Sequence, residues 1–199
     1  MKKIGIYGGT FDPVHRGHIS LANAACSECS LDRIIFMPAY ISPFKQDKKV
    51  TSGEQRLRML EDVMHYNPAF SVSAYEISKE GPSYTILTLE EWDRILDGEL
   101  FFILGFDSTV EIDTWFRGED ILKKYPLVTA VRPGVDISRG LDKFELMREK
   151  YGADIRVLDM DPVDASSTEI RKRVLEGKSI SDLVMPETEE YILEHNLYR

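Results

Sequence analysis

The chain has 199 residues, of which 43% are apolar and 30% charged, a balance that excludes a mainly disordered or membrane-embedded protein. Its 25 Lys and Arg stand against 34 Asp and Glu, a net charge of −9, which excludes a broad basic coat for DNA or RNA and leaves anion binding to a local basic pocket. A globular chain of this length buries roughly 70% of its unfolded surface and needs neither disulfides nor a structural metal.

Met1-Lys2-Lys3 leads straight into a strand pattern over residues 3–7 that ends in Gly8 and Gly9. That is not the profile of a secretory signal, so the expected compartment is the cytoplasm. Helical periodicity follows over about 17–29. Ala22, Ala25, Cys26 and Cys29 share its apolar face, so the lone Cys-x-x-Cys reads as packing in a helix and not as a redox or zinc pair. Residues 33–37 form a short strand stopped by Pro38, and a polar loop runs to Ser52. Ser52 is expected to cap a helix reaching about His65, with Gln55 closing a capping box. Residues 70–75 alternate as a strand and residues 83–96 read as a helix. Residues 100–104, 127–131 and 155–158 are strands of the fully buried type. The longest apolar run, residues 100–106, is too short to span a bilayer. Buried strands alternating with helices predict an α/β fold, a doubly wound, mostly parallel sheet with helices on both faces. It forms one domain over 1–199, in which 166–199 is a small helical C-terminal portion. Ligands on such sheets bind beyond the carboxyl ends of the strands.

The segment after the first strand is Gly8-Gly9-Thr10-Phe11-Asp12-Pro13-Val14-His15-Arg16-Gly17-His18. Paired glycines let a backbone approach a ligand closely. Gly17 and His18 then open a helix whose unpaired amides and partial positive charge suit phosphate. His15 and His18, three apart, can face one side of that helix end and donate from their rings. The glycine spacing fits neither a Walker A loop nor a dinucleotide fingerprint. Near the far end, Ser166-Ser167-Thr168-Glu169-Ile170-Arg171 opens another helix. Read alone, Ser166 or Ser167 is a cap with Glu169 in the first turn. Beside the first segment, its hydroxyls, amides and Arg171 can instead hold a triphosphate.

The His-x-Gly-His segment resembles the signature of the nucleotidyltransferase superfamily, and the whole string 8–18 resembles that of nicotinate/nicotinamide mononucleotide adenylyltransferases. The second segment resembles the Ile-Ser-Ser-Thr-x-Ile-Arg signature of the same superfamily, with Ala165 in place of its leading isoleucine. The two stand about 150 residues apart and bracket nearly the whole chain. The resemblance implies that His15, His18 and Arg171 act at the transferring phosphate. It implies an ATP site made by Gly8, Gly9, Thr10, Phe11, Gly17, Ser167 and Thr168. Leu104-Gly105-Phe106-Asp107 resembles the family's next strand end and adds Gly105 and Asp107, whose carboxylate can accept a ribose diol. For the mononucleotide it implies Asp12, and Ser83, Tyr84 and Thr85 of Gly81-Pro82-Ser83-Tyr84-Thr85, where Gly81-Pro82 replaces the family's arginine and its neighbour. Trp115 of Thr114-Trp115-Phe116 offers a face on which a pyridine ring stacks. Arg132 of Arg132-Pro133-Gly134 would fork onto phosphate. The loop 38–45 departs from the family's Pro-Pro-His-Lys ending. Ser42 and Phe44 stand where a proline and the histidine are usual, which leaves Lys45 as a point charge for phosphate.

The implied reaction transfers AMP from ATP to nicotinate mononucleotide in NAD biosynthesis, with Mg2+ carried by ATP and no dedicated metal ligands in the protein. The helix end near Ser83 favours the acid form of the acceptor, because helix N-termini favour anions. Two alternatives stay open: nicotinamide mononucleotide as acceptor, and a nucleotide-binding sensor that kept the cradle and lost the chemistry. The partners implied are ATP and a pyridine mononucleotide, with homo-oligomers common among relatives and neither nucleic acid nor membrane.

Overall fold

The computed structural model describes residues 1–41, 50–79, 81–131, 137–159, 163 and 165–199. Six strands, β1 (Lys3–Gly9), β2 (Arg33–Pro38), β3 (Phe70–Val72), β4 (Glu99–Ile103), β5 (Leu127–Ala130) and β6 (Ile155–Leu158), pair in parallel throughout. Their spatial order is β3-β2-β1-β4-β5-β6. The chain therefore builds outward from β1 to one edge, returns to lay β4 against the other side of β1, and builds outward again. Tyr7 of β1 stands opposite both Phe36 and Ile103. The crevice between β1 and β4 is the point where the winding reverses, the usual ligand position on such sheets.

Both faces of the sheet are covered, which is why its strands are nearly continuous apolar runs. The period-two pleat sorts their side chains. Ile34, Phe36, Phe101 and Ile103 pack against α1 (Arg16–Glu28), α2 (Gly53–Asp62), α8 (Ser167–Leu175) and α9 (Pro186–Glu194). Ile35, Met37, Leu100 and Phe102 pack on the other side with side chains of α4 (Thr85–Ile95), α5 (Phe106–Val110), α6 (Gly118–Lys124) and α7 (Ser138–Tyr151). Ile170, Ile180, Leu183, Val184 and Ile192 belong to the same buried cluster as Phe36, so the helical C-terminal portion shares the core of the sheet. Cys26 is half-buried and Cys29 buried, both as free thiols whose burial pushes their pKa up. Among the described residues no helix is long and apolar enough to cross a membrane.

Three local expectations need correction. The strand expected over 70–75 ends at Val72, and Tyr75 instead begins a short helix, α3 (Tyr75–Lys79). Ser73 turns the chain: its N–H still donates to Phe36 in β2, but its hydroxyl accepts the Tyr75 N–H at 3.2 Å. Helix α2 stops at Asp62 and the chain tightens into a 3-10 turn over Met64–Tyr66. Ser52 does cap α2, accepting the Gln55 N–H at 3.3 Å, yet the Gln55 side chain returns to the Ser52 hydroxyl at 3.1 Å and not to its N–H.

Candidate active site

Beyond the carboxyl ends of β1 and β4 lies a cavity of about 520 Å³, a volume suited to a small-molecule ligand. Gly8 and Gly9 carry β1 into its wall. A Cβ on Gly9 would stand 2.9 Å from the Phe11 ring, so a side chain there would have to displace that buried ring. Phe11 has a φ of 50°, left-handed backbone that a bulky side chain rarely adopts. Its ring is held edge-on by Tyr7 and His18. His15 sits at the cap of α1 in extended backbone, φ −149° and ψ 170°. Its N–H donates to His18 Nδ1 at 3.2 Å. An accepting Nδ1 leaves the proton of the neutral His18 ring on Nε2, which makes that atom a donor. The two imidazoles stack with centroids 3.6 Å apart.

The two distant signatures meet at this turn. Arg171 Nη1 donates to the Asp12 carbonyl at 2.7 Å, and the Ser167 hydroxyl donates to the Pro13 carbonyl at 3.0 Å. Arg171 Nη2 reaches Thr168 Oγ1 at 3.4 Å. Ser166 supplies the cap of α8 by accepting the Glu169 N–H at 3.2 Å, so capping and bridging fall to different serines.

A second tier braces the turn from behind. The Asp12 side chain accepts the Tyr198 hydroxyl at Oδ1 (2.7 Å) and the Thr51 N–H at Oδ2 (3.3 Å). Both oxygens of a residue expected at the mononucleotide thus serve the protein's own loop. Arg56, 1% exposed, donates to the carbonyls of Thr51 (2.9 Å), Thr10 (2.7 Å) and Tyr40 (3.1 Å). Burial lowers its pKa, and Asp12 opposes that shift.

On the α4 side of the cavity, Tyr84 occupies the cap position in extended backbone and Thr85 begins the helix. The Ser83 hydroxyl accepts the Tyr40 N–H and its own N–H donates to Ile41, each at 3.0 Å. Glu76 of α3 accepts the Thr88 hydroxyl at 2.6 Å. Burial pushes the Glu76 carboxyl above its usual range, against hydrogen bonds from Thr88 and Ser83 and the charge of Lys79. Tyr84 and Phe116 meet at a tilt of 49°, centroids 4.8 Å apart, and half-buried Trp115 meets Phe102 edge-on.

Among the described residues, the expected site residues all line this cavity except Asp107. Helix α5 begins at Phe106, which turns Phe106 and Ser108 to the cavity and leaves Asp107 exposed. Lys45 and Arg132 lie outside the described residues, as do Ser42, Phe44, Pro133 and Gly134. Arg56, Glu76, Thr88 and Tyr198 were not anticipated. For Arg56 a signal existed: it shares a helical stripe with buried Met59, Leu60 and Val63. Helices α1, α4 and α8 all begin at the cavity wall. With Arg171 they point donors at the cavity that suit an anion, although Asp12, Glu76 and Glu111 line it too. Among the described residues no group of three His, Cys, Asp or Glu could hold a metal ion.

A family model described as Cytidylyltransferase-like matches residues 6–173. A probable nicotinate-nucleotide adenylyltransferase of Carboxydothermus hydrogenoformans is 41% identical, over 99% of this chain and 98% of that protein. One of the same description from Thermoanaerobacter sp. is 40% identical, over 99% and 94%. In fold, the chain is similar to a Plasmodium falciparum nicotinic acid mononucleotide adenylyltransferase complexed with NaAD, with a TM-score of 0.80 and 21% identity, covering 100% of this chain and 98% of that one.

Proposed function

We propose that this chain, which belongs to the cytidylyltransferase-like family and within it to the nicotinate-nucleotide adenylyltransferases, transfers AMP from ATP to nicotinate mononucleotide, giving nicotinate adenine dinucleotide and pyrophosphate in NAD biosynthesis. The observation that carries this reading is the joining of the His15–His18 turn to the Arg171 helix where the winding of the sheet reverses.

A phosphate oxygen of the mononucleotide attacks the α-phosphorus of ATP. The bond from that phosphorus to the β-phosphate oxygen breaks, and pyrophosphate leaves with the electron pair. A phosphate monoester with a second pKa near 6 is largely ionised at neutral pH, so the nucleophile needs no general base. What remains is to align two anions and to spread the developing charge. His18, through Nε2–H, and Arg171 face the transferring phosphate, with His15 stacked on His18 to hold its ring. The α1 amides and Gly8, Gly9, Thr10, Ser167 and Thr168 cradle the triphosphate. Gly105 and, from the rim, Asp107 serve the adenosine ribose. Trp115 stacks the pyridine, and Thr85 with the first amides of α4 takes its carboxylate. Lys45 and Arg132 are assigned to the mononucleotide phosphate by the family resemblance.

Magnesium belongs to this scheme as part of the substrate, held by phosphate and water oxygens, where it neutralises triphosphate charge. The wall around the phosphates offers amides, imidazole N–H groups and a guanidinium, all donors for an anion. A cytoplasmic enzyme accords with this reading, since its proposed substrates are soluble. The test supplies purified protein with ATP and Mg2+, adds nicotinate or nicotinamide mononucleotide in parallel, and follows pyrophosphate. Rapid release with the acid form and little with the amide is expected. Equal rates would remove the assignment of α4 to carboxylate recognition, and no release with either would overturn the reaction.

A further inference from the structure

We propose that Tyr198 is a positioning residue of the adenylyl-transfer site: its hydroxyl, acting through Asp12, sets the backbone of the turn that cradles phosphate. What the turn does rests on the reading above; how it is held does not. Tyr198 lies 186 positions along the chain from Asp12, yet its hydroxyl donates to Asp12 Oδ1 at 2.7 Å. Its ring packs at the edge of the core cluster with Leu197. Asn196 closes α9 in the left-handed conformation usual after a helix, but Tyr198, with a φ of 64°, holds left-handed backbone that a bulky aromatic rarely adopts. Such a path persists only where surrounding contacts fix it, and here the fixed end is the hydroxyl on Asp12. Burial, and then the Asp12 charge, keep the phenol protonated far above its usual range, so it remains a donor at any working pH.

Asp12 is where three segments meet the turn. Tyr198 and the Thr51 N–H hold its carboxylate and Arg171 holds its carbonyl. It lies between Phe11, with its left-handed backbone, and His15, whose N–H orients His18. Releasing the carboxylate frees the peptide planes that set the angle of α1. An in-line displacement loses rate steeply when reacting groups drift by a fraction of an ångström, while binding of the whole nucleotide is spread over many contacts and tolerates the drift.

The test substitutes Tyr198→Phe in the full chain, which keeps the ring and deletes the donor. Loss of one hydrogen bond to a charged acceptor sets an expected fall in kcat of roughly 10- to 100-fold. KM for ATP should stay within about threefold of the parent. Amide hydrogen exchange should quicken over residues 8–18 while the central strands stay protected. Tyr66→Phe is the control: that hydroxyl also meets a carboxylate, Glu187, but at the contact between the 3-10 turn and α9, and its loss should leave kcat and exchange at 8–18 unchanged. Asp12→Ala combined with Tyr198→Phe should be no worse than Asp12→Ala alone. A kcat for Tyr198→Phe within twofold of the parent with unchanged exchange at 8–18, or additive losses in the double variant, would overturn the proposal. If the parent lacks activity with pyridine mononucleotides, the reaction assignment fails, and the exchange measurement still decides the role of Tyr198. If Tyr198→Phe does not fold, exchange in Asp12→Ala takes its place, and unchanged protection at 8–18 there overturns the proposal.

Discussion

Replacing Arg56 by methionine removes a guanidinium that donates to three main-chain carbonyls, at 2.9, 2.7 and 3.1 Å. Methionine has a similar reach and no donor, so the variant reads lost hydrogen bonding more than a cavity. A hydrogen bond from a charged group contributes about 1.5 to 3 kcal/mol, and three at the low end come to about 4.5. Burying the charge costs folding free energy, the same desolvation that lowers the Arg56 pKa, so the net loss expected is about 3 kcal/mol. Urea unfolding followed by tryptophan fluorescence measures it. With a slope of about 2 kcal/mol per molar, the midpoint should fall by about 1.5 M at unchanged slope. Arg56→Lys, which keeps the charge but cannot span three carbonyls, should fall in between. A midpoint within about 0.3 M of the parent at equal slope would refute the reasoning, because the three contacts would then contribute no net stability.

His18→Ala should lower kcat by about 100- to 1000-fold while KM for ATP moves far less, measured by steady-state pyrophosphate release; turnover near the parent would remove His18 from the transferring phosphate. Glu76→Gln should flatten the pH dependence of stability. Burial raises the Glu76 carboxyl from its ordinary 4.5, so the folded state binds its proton more tightly than the unfolded state. The parent's stability from this group is complete below 4.5 and is lost as pH rises through the raised value, whereas glutamine keeps an acceptor for Thr88 and does not ionise. Thermal melts across that window should show the variant gaining on the parent as pH rises, and a pH-independent difference would contradict the assignment.

The central strands were legible because both sheet faces are buried, so 34–37 and 100–104 carry apolar runs that neither loops nor surface helices would. The overshoot at 70–75 had a local cause: alternation continues through Ser73, and nothing in that pattern reveals a hydroxyl turning back on the Tyr75 N–H. Within the site, residues with local signatures were visible. Gly9, His15, His18 and the Ser166 cap each perform a task set by their immediate neighbours. The burial of Arg56 was legible in its helical stripe, but its partner Thr10, like the partner Asp12 of Tyr198, was not, since these contacts join residues remote along the chain. Asp107 stands outside the cavity lining for a finer reason. Starting α5 at Phe106 decides which of two adjacent side chains meets the cavity, and a one-residue boundary is beyond what propensity resolves.

The grips on the cradle also fix when, during synthesis, the protein becomes competent. Ser167 reaches Pro13 across 154 positions, Arg171 reaches Asp12 across 159, and Tyr198 reaches Asp12 across 186. On a ribosome adding about 5 to 20 residues each second, the earliest segment of the site waits on the order of ten to forty seconds for the latest. The ladder bonds among β1, β2 and β3 can form meanwhile, although the core that buries them is completed only by β4 and the C-terminal helices. A product cut short before α8 keeps the glycine turn and its histidines without the arginine, serine and tyrosine that hold them to account.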